Sequence, residues 1–133
     1  MASRSLDDLA LPVKAAALGF LQAARDSGLE VLIYCTSRPL TEQANLYAIG
    51  RTLPGQIVTN APPGHSEHNP DSNGKAWAFD AVPMLCGKCM FHDDALINKM
   101  GAIGEAAGLQ WAGRWRGKLR ERVHFQIDRG NHE

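Results

Sequence analysis

Three side chains that could bind a metal are spread over the second half of the sequence. His68 lies in a loop rich in Gly, Pro and Asn, Asp80 lies in an apolar run, and His124 stands between Val123 and Phe125. A buried carboxylate must be paired, hydrogen-bonded or bound to a metal. Two imidazoles and a carboxylate form a donor set that catalytic zinc accepts, with a fourth position left for water. The alternatives are an aspartate bonded to loop amides and histidines satisfied within the core.

Glu121 precedes His124 by three residues. In a turn, this spacing brings the two side chains close to one point, where the carboxylate could act as a general base toward a water molecule. On spacing alone, a surface glutamate is an equally good interpretation, because Glu121 lies within the basic segment RWRGKLRER at 114–122. That segment favours a solvated surface, although its cations could also contact an anionic polymer.

The cysteines offer a second candidate for a metal site. Cys86, Cys89 and His92 have a spacing that could indicate structural zinc, but no second Cys/His pair follows them. We interpret the two thiols as flanking a tight turn, with a second metal or a redox role as the alternative. Cys35 is interpreted as a small buried apolar residue. The tetrapeptide DSNG at 71–74 lacks the downstream glutamate of a calcium loop and is interpreted as a polar turn.

Composition limits the classes of protein to consider. The chain has 133 residues, of which 44% are hydrophobic and 21% charged, which is typical of one globular domain. Its formal net charge of zero gives no general attraction to nucleic acid or to a membrane. Asp7, Asp8 and Lys14 interrupt the apolar residues near the N-terminus. Neither a membrane span nor the uncharged core of a signal peptide is therefore predicted.

The order of elements that must position these side chains follows from hydrophobic periodicity and turn residues. Helices and strands mix without strict alternation, which favours an α+β fold in a single domain over 1–133, with its core at about 12–128. Because successive side chains of a strand point to opposite faces, Asp80 is predicted to face away from Trp77 and Phe79. Thr41 is a possible helix cap. The predicted elements are a helix from Pro12 to about Gly28, a strand at 29–36, a helix at 40–51, a long loop at 52–75, a strand at 76–85 with a hairpin, a helix at 93–108 and a strand at 123–127.

Five motifs, taken in order, resemble a known family. SRPLTEQ, PGHSEHN, AFDAVP, GLQWAGRW and ERVH are similar to motifs of the zinc D-Ala-D-Ala carboxypeptidase and L-alanyl-D-glutamate endopeptidase family, above all to its small phage endolysins. The resemblance runs from about Pro12 to Ile127. It implies one Zn²⁺ held by His68, Asp80 and His124. It also implies that Glu121 is the base and that Arg38 contacts the scissile carbonyl and its developing oxyanion.

Two features depart from the family pattern. His68 and Asp80 are twelve residues apart, whereas the pattern HxxGxAxD spaces them by about seven, so we interpret PDSNGK at 70–75 as an inserted turn. Ala76 stands where glycine is common. His65, in the same HSEH segment, competes with His68 as the ligand. The match to S-x-H favours His68.

The resemblance implies a small antiparallel sheet flanked by helices, in a fold like that of Hedgehog and the D,D-peptidases. It implies an endolysin that hydrolyses the peptidoglycan stem peptide at the L-Ala–D-Glu bond and lyses bacteria. The alternatives are a D,D-carboxypeptidase that removes terminal D-Ala and a non-catalytic zinc-containing module that binds the wall. We expect a monomer without nucleic-acid or stable membrane binding. As a phage endolysin without a signal peptide, it is expected to stay in the host cytoplasm until a holin releases it.

Overall fold

A computed structural model describes residues 2–127 and 129. Three single-turn 3₁₀ helices, at Leu6–Asp8, Ala112–Arg114 and Gly117–Leu119, accompany the main elements. The main elements are α1 (Leu11–Asp26), β1 (Glu30–Cys35), α2 (Leu40–Ala48), β2 (Ala78–Leu85), β3 (Lys88–Cys89), α3 (Asp94–Ala106), β4 (Gln110–Trp111) and β5 (His124–Gln126). The predicted α+β fold, a small antiparallel sheet with helices, is confirmed. Strand β4 and the 3₁₀ helices were not predicted, because two- and three-residue elements leave no periodicity in a sequence.

The sheet has the strand order β1-β2-β5-β4, with β3 paired to the far end of β2. All of these pairings are antiparallel. At its centre, Asp80 of β2 lies opposite His124 of β5, and Phe79 lies opposite Phe125. Since successive residues of a strand point to opposite faces, this register gives the sheet one aromatic face and one face that carries ionisable groups.

The aromatic face forms the core with α1 and α3. The rings of Phe79 and Phe125 stack at 5.5 Å, and Phe20 of α1 packs on both at 5.8 and 5.0 Å. Ile97 and Met100 of α3 are fully buried in the same cluster. Burial of each large apolar side chain stabilises the fold by about 1.5–3 kcal/mol. Helices α1 and α3 thus cover the aromatic face of the sheet and leave the face that carries Asp80 and His124 uncovered by them.

Glycine allows α3 to lie close to the sheet. A Cβ atom on Gly104 would come within 2.4 Å of the Phe125 ring, whereas a Cβ on Gly19 of α1 would meet nothing within 4 Å. We therefore expect Gly104→Ala to lower the free energy of unfolding by about 1–3 kcal/mol through overpacking. The matched control Gly19→Ala should raise it by about 0.5–1 kcal/mol, because glycine is unfavourable in a helix. Urea denaturation measures both, and equal effects of the two substitutions would contradict this packing.

One predicted helix cap and several predicted boundaries differ from the structure. Thr41 is no cap: Pro39 is the N-cap residue of α2 and no side chain caps this helix, because proline's fixed φ already directs the chain into the first turn. Helix α2 ends at Ala48 rather than at 51, since Gly50 has a φ of +82°. Strand β2 begins at Ala78, because Ala76 bridges to Leu9 instead. Among the described residues, no helix is long and apolar enough to cross a membrane.

Candidate active site

His68, Asp80 and His124 meet on the open face of the sheet. Nε2 of His68 lies 3.0 Å from Oδ1 of Asp80 and 3.2 Å from Nδ1 of His124, and that Nδ1 lies 3.4 Å from Oδ1 of Asp80. Strand pairing sets the Asp80–His124 contact, while His68 is supplied by the loop before β2. Both imidazoles are buried, at 2% and 5% exposure. The three side chains thus form a compact triangle of donor atoms.

The loop that carries His68 is held against the segment after β1. The carbonyl of Thr36 accepts a hydrogen bond from Nδ1 of His68 at 2.8 Å, so Nε2 is the nitrogen that faces Asp80. The backbone amide of Arg38 donates to the carbonyl of His68 at 2.7 Å, and the side-chain amide of Asn69 donates to the carbonyl of Arg38 at 2.9 Å. These bonds fix the ring although it lies in a loop.

The charges in the triangle depend on each other. Burial raises the pKa of the Asp80 carboxyl, but the neighbouring His68 and His124 outweigh this and hold that pKa well below its usual range. Burial lowers the pKa of His68, but the Asp80 carboxylate more than offsets this and raises the pKa to about 10. Without a metal, the imidazole of His68 therefore stays protonated on both nitrogens at neutral pH. A divalent cation that binds at Nε2 must displace the proton on that nitrogen.

The triangle fits a zinc ion. Tetrahedral zinc with bonds of about 2.0–2.1 Å to nitrogen and oxygen separates its ligand atoms by about 3.3 Å, close to the three distances above. A wider set of Cys35, His68 and Asp80, with donor atoms within 4.8 Å of one another, also exists. However, the Cys35 sulfur lies 3.8 Å from Nδ1 of His68, the nitrogen that donates to Thr36. The set that includes His124 is therefore the better candidate for a metal site.

A β-bulge explains where Cys35 lies. The register of β1 against β2 shifts between Ile33 and Cys35, so Cys35 lies opposite Asp80. Its sulfur is also 3.8 Å from Nη2 of Arg38. The interpretation of Cys35 as a buried residue holds, at 6% exposure, but its contacts are polar and lie at the site. Simple alternation would place it with Ile33 toward the core, and a bulge redirects side chains without an obvious sequence signal.

Glu121 lies at the edge of the triangle. Its Oε2 is 3.5 Å from Nδ1 of His124, and its side chain remains 45% exposed. The amide of His124 donates to the carbonyl of Glu121 at 3.3 Å, which closes the turn. The indole of Trp111 donates to the carbonyl of Arg122 at 2.8 Å and anchors the same turn to the core. The three-residue spacing thus brings a solvent-accessible carboxylate next to His124.

Arg38 lies on the other side of Asp80. Its Nη2 is 3.9 Å from Oδ2 of Asp80, and its Nη1 donates to Oε1 of Gln43 at 2.9 Å. Gln43 is fully buried and donates in turn to the carbonyl of Ala61 at 2.7 Å. Gln43 was not singled out from the sequence, although it is the last residue of the SRPLTEQ motif that carries part of the resemblance. It orients the guanidinium toward the site.

The extra residues between His68 and Asp80 form a turn that is held by hydrogen bonds to Asp71. Oδ1 of Asp71 accepts hydrogen bonds from the amides of Asn73 and Lys75 at 2.8 and 3.0 Å, and Oδ2 accepts one from the indole of Trp77 at 2.8 Å. This is the polar turn that the composition indicated. Because the turn is closed by its own bonds, the longer spacing leaves His68 beside Asp80.

The other side chains considered as metal ligands lie outside the triangle. His65 is exposed and lines the cleft beside the site, rather than joining the triangle. Cys86 and Gly87 form the two-residue turn between β2 and β3, with φ of 51° and 78°. Cys86 and Cys89 are both exposed thiols. Within residues 2–127 and 129, no cluster of metal-binding side chains includes Cys86, Cys89 or His92.

A cleft of ≈ 580 Å³ opens above the triangle. His68, Asp80 and His124 lie in it together with Glu121 and Arg38. The loop at 58–61 and the side chains of Trp115 and Leu119 also line the cleft, and the Trp115 ring lies 5.7 Å from that of His124. A cleft with apolar walls around a few convergent polar groups is the usual form of a binding site for a small ligand or peptide.

Comparison with known proteins agrees with this architecture. No protein-family model matches the sequence. Peptidoglycan L-alanyl-D-glutamate endopeptidase CwlK of Bacillus subtilis (strain 168) is 30% identical over an alignment of 137 positions, gaps included, that covers 92% of this chain and 79% of CwlK. The L-Ala D-Glu endopeptidase ChiX of Serratia marcescens has a similar structure, with a TM-score of 0.68 at 18% identity, covering 96% of this chain and 89% of ChiX.

Two further solved structures share the fold. The LD-carboxypeptidase LdcB matches with a TM-score of 0.64 at 18% identity, over 90% of this chain and 58% of LdcB. The vancomycin-resistance D,D-pentapeptidase VanY, in complex with Zn(II), matches with a TM-score of 0.57 at 13% identity, over 90% of this chain and 72% of VanY. The sequence match to CwlK, over most of both chains, shows the family. This chain belongs to the zinc D-Ala-D-Ala carboxypeptidase and L-alanyl-D-glutamate endopeptidase family, a family of peptidoglycan peptidases.

Proposed function

We propose that this protein is a zinc-dependent endopeptidase that hydrolyses the L-Ala–D-Glu bond of the peptidoglycan stem peptide. One observation carries the proposal. The triangle of His68, Asp80 and His124 shares a single cleft with an accessible carboxylate, Glu121, and a held guanidinium, Arg38. A structural metal site would need neither of the last two groups.

His68, Asp80 and His124 would hold the zinc. When bound, the ion supplies Lewis acidity that polarises the scissile carbonyl and acidifies the attacking water. One carboxylate and two neutral imidazoles leave the loaded site with a net positive charge. That charge favours the negative oxygen that develops on the amide carbonyl during attack.

Glu121 would act as the general base. It accepts a proton from the attacking water and passes this proton to the nitrogen of the leaving amine. Its position supports this role, because Oε2 is 3.5 Å from His124 while nearly half of the side chain is exposed to the cleft. A fully buried carboxylate could not reach both water and a bound peptide.

Arg38 would stabilise the oxyanion. Its hydrogen bond to buried Gln43 and its 3.9 Å contact with Asp80 hold the guanidinium beside the triangle. A donor fixed in place before the reaction needs no reorganisation when negative charge develops, which is the main source of its catalytic effect.

The relatives favour the L-Ala–D-Glu bond over the terminal D-Ala. CwlK, the relative with 30% identity, is named as an L-alanyl-D-glutamate endopeptidase. The structures of ChiX, LdcB and VanY are each below 25% identical and support the fold alone. The resemblance to small phage endolysins further supports the proposal that the cleavage lyses bacteria after release from the host cytoplasm.

Product analysis of digested peptidoglycan tests this function. Incubation of purified sacculi with the zinc-loaded protein should release stem peptides with a new N-terminal D-Glu and leave L-Ala on the glycan, as mass spectrometry would show. Release of D-Ala alone would establish the D,D-carboxypeptidase instead. Binding to sacculi without any released product would establish a wall-binding module.

A further inference from the structure

The two imidazoles of the triangle are oriented by different kinds of group. His68 donates to a backbone carbonyl, that of Thr36, at 2.8 Å. His124 donates from Nε2 to Oε1 of Gln126, a side chain, at 2.8 Å. Because the amide oxygen only accepts, Nε2 of His124 carries the hydrogen and Nδ1 faces Asp80 and His68. The tautomer of His124 therefore depends on a side chain that can be replaced, whereas that of His68 does not.

Gln126 is itself oriented by a neighbour. Its Nε2 donates to Oε1 of Gln110 at 3.1 Å. The two residues lie opposite each other in the pairing of β4 with β5, and both line the cleft. Since the amide nitrogen of Gln126 is engaged by Gln110, its oxygen is directed at His124. Without Gln110, the amide could rotate and present its nitrogen to His124 instead.

We propose that Gln126, oriented by Gln110, is a positioning residue that holds His124 in the tautomer whose Nδ1 can bind zinc. This proposal rests on the metal site described under the proposed function. Partners that fix the second nitrogen of a ligating histidine commonly contribute ten- to hundred-fold to metal affinity. Gln126 and Gln110 bring no charge, so they fix the ring without reducing the positive charge of the loaded site.

Zinc affinity of purified variants, measured by competition with a chromophoric chelator, tests the proposal without an activity assay. Gln126→Leu removes the acceptor and should weaken zinc binding about 10- to 100-fold. Gln126→Glu keeps an acceptor and should bind zinc at least as tightly as the wild type. Gln110→Leu should weaken binding by a smaller factor, because Gln126 can still rotate back. Gln22→Leu, which removes an exposed amide on α1, is the control and should change nothing.

The tautomer of the unaltered protein gives an independent readout. In the metal-free wild type, ¹⁵N NMR of the His124 ring should show hydrogen on Nε2 and none on Nδ1, and this readout does not depend on whether Gln126→Leu folds. Hydrogen on Nδ1, or equal zinc affinity of Gln126→Leu and wild type, would overturn the positioning role while leaving the metal site intact. Weak binding by Gln126→Glu would also overturn it. A wild type that binds no zinc would overturn the metal site and this proposal together.

Discussion

Glu121→Gln should lower the rate of peptidoglycan hydrolysis by about 10²–10⁴-fold, the contribution typical of a general base, and should leave zinc binding nearly unchanged. The amide keeps the shape of the side chain but cannot accept a proton from water at neutral pH. Glu121 contacts His124 only at the edge of the triangle, at 3.5 Å. Its loss should therefore affect the reaction and not the metal.

Release of soluble peptides from sacculi measures this effect, with zinc content determined on the same samples. Glu105→Gln is a matched control, because it removes a carboxylate of α3 that pairs with Arg114 on the surface and lies outside the cleft. Such exposed pairs contribute at most about 1 kcal/mol to stability. Full activity of Glu121→Gln would refute the role of Glu121 and favour the non-catalytic alternative.

Asp80→Asn should abolish both zinc binding and hydrolysis. The carboxylate is the only negative charge in the triangle, and its Oδ1 is within 3.4 Å of both imidazole donors. An amide of the same shape cannot neutralise a divalent cation. The loss of zinc affinity should therefore exceed the ten- to hundred-fold loss expected for Gln126→Leu, which only removes a partner of a ligand. Metal analysis after dialysis, together with circular dichroism to verify folding, measures the result.

The cysteines provide the control for this substitution. A double variant with Cys86→Ser and Cys89→Ser alters two exposed thiols on the β2–β3 turn and should keep about one zinc per chain, as a single three-ligand site predicts. Loss of zinc from this variant, or full zinc content in Asp80→Asn, would move the metal site away from the triangle.

Much of the fold could be predicted because its signals are local. The apolar spacing of α1 and α3 and the apolar run of β2 are strong patterns, and the elements they predict are present. The alternation of Phe79 and Asp80 also indicated which side chain belongs to the core. Strand β4 could not be predicted, because two residues show no period. It matters for the site, since it supplies Gln110 opposite Gln126.

The main residues of the candidate site could be predicted from the sequence, but the residues that contact and orient them could not. The resemblance implied His68, Asp80, His124, Glu121 and Arg38, and the fold brings all five into one cleft. Gln126, by contrast, makes a contact that depends on strand register rather than on a motif. Cys35 reaches the site only through a bulge in β1. Contacts of this kind are set by tertiary geometry, which the sequence does not display.

We propose that one zinc ion binds between His68, Asp80 and His124. Anomalous diffraction from crystals of the zinc-loaded protein, recorded on both sides of the zinc absorption edge, tests it most directly. We predict a single strong peak flanked by Nε2 of His68, a carboxylate oxygen of Asp80 and Nδ1 of His124. A loaded crystal with no peak at these atoms, or with its peak at Cys86 and Cys89, would show that zinc does not bind between the three side chains.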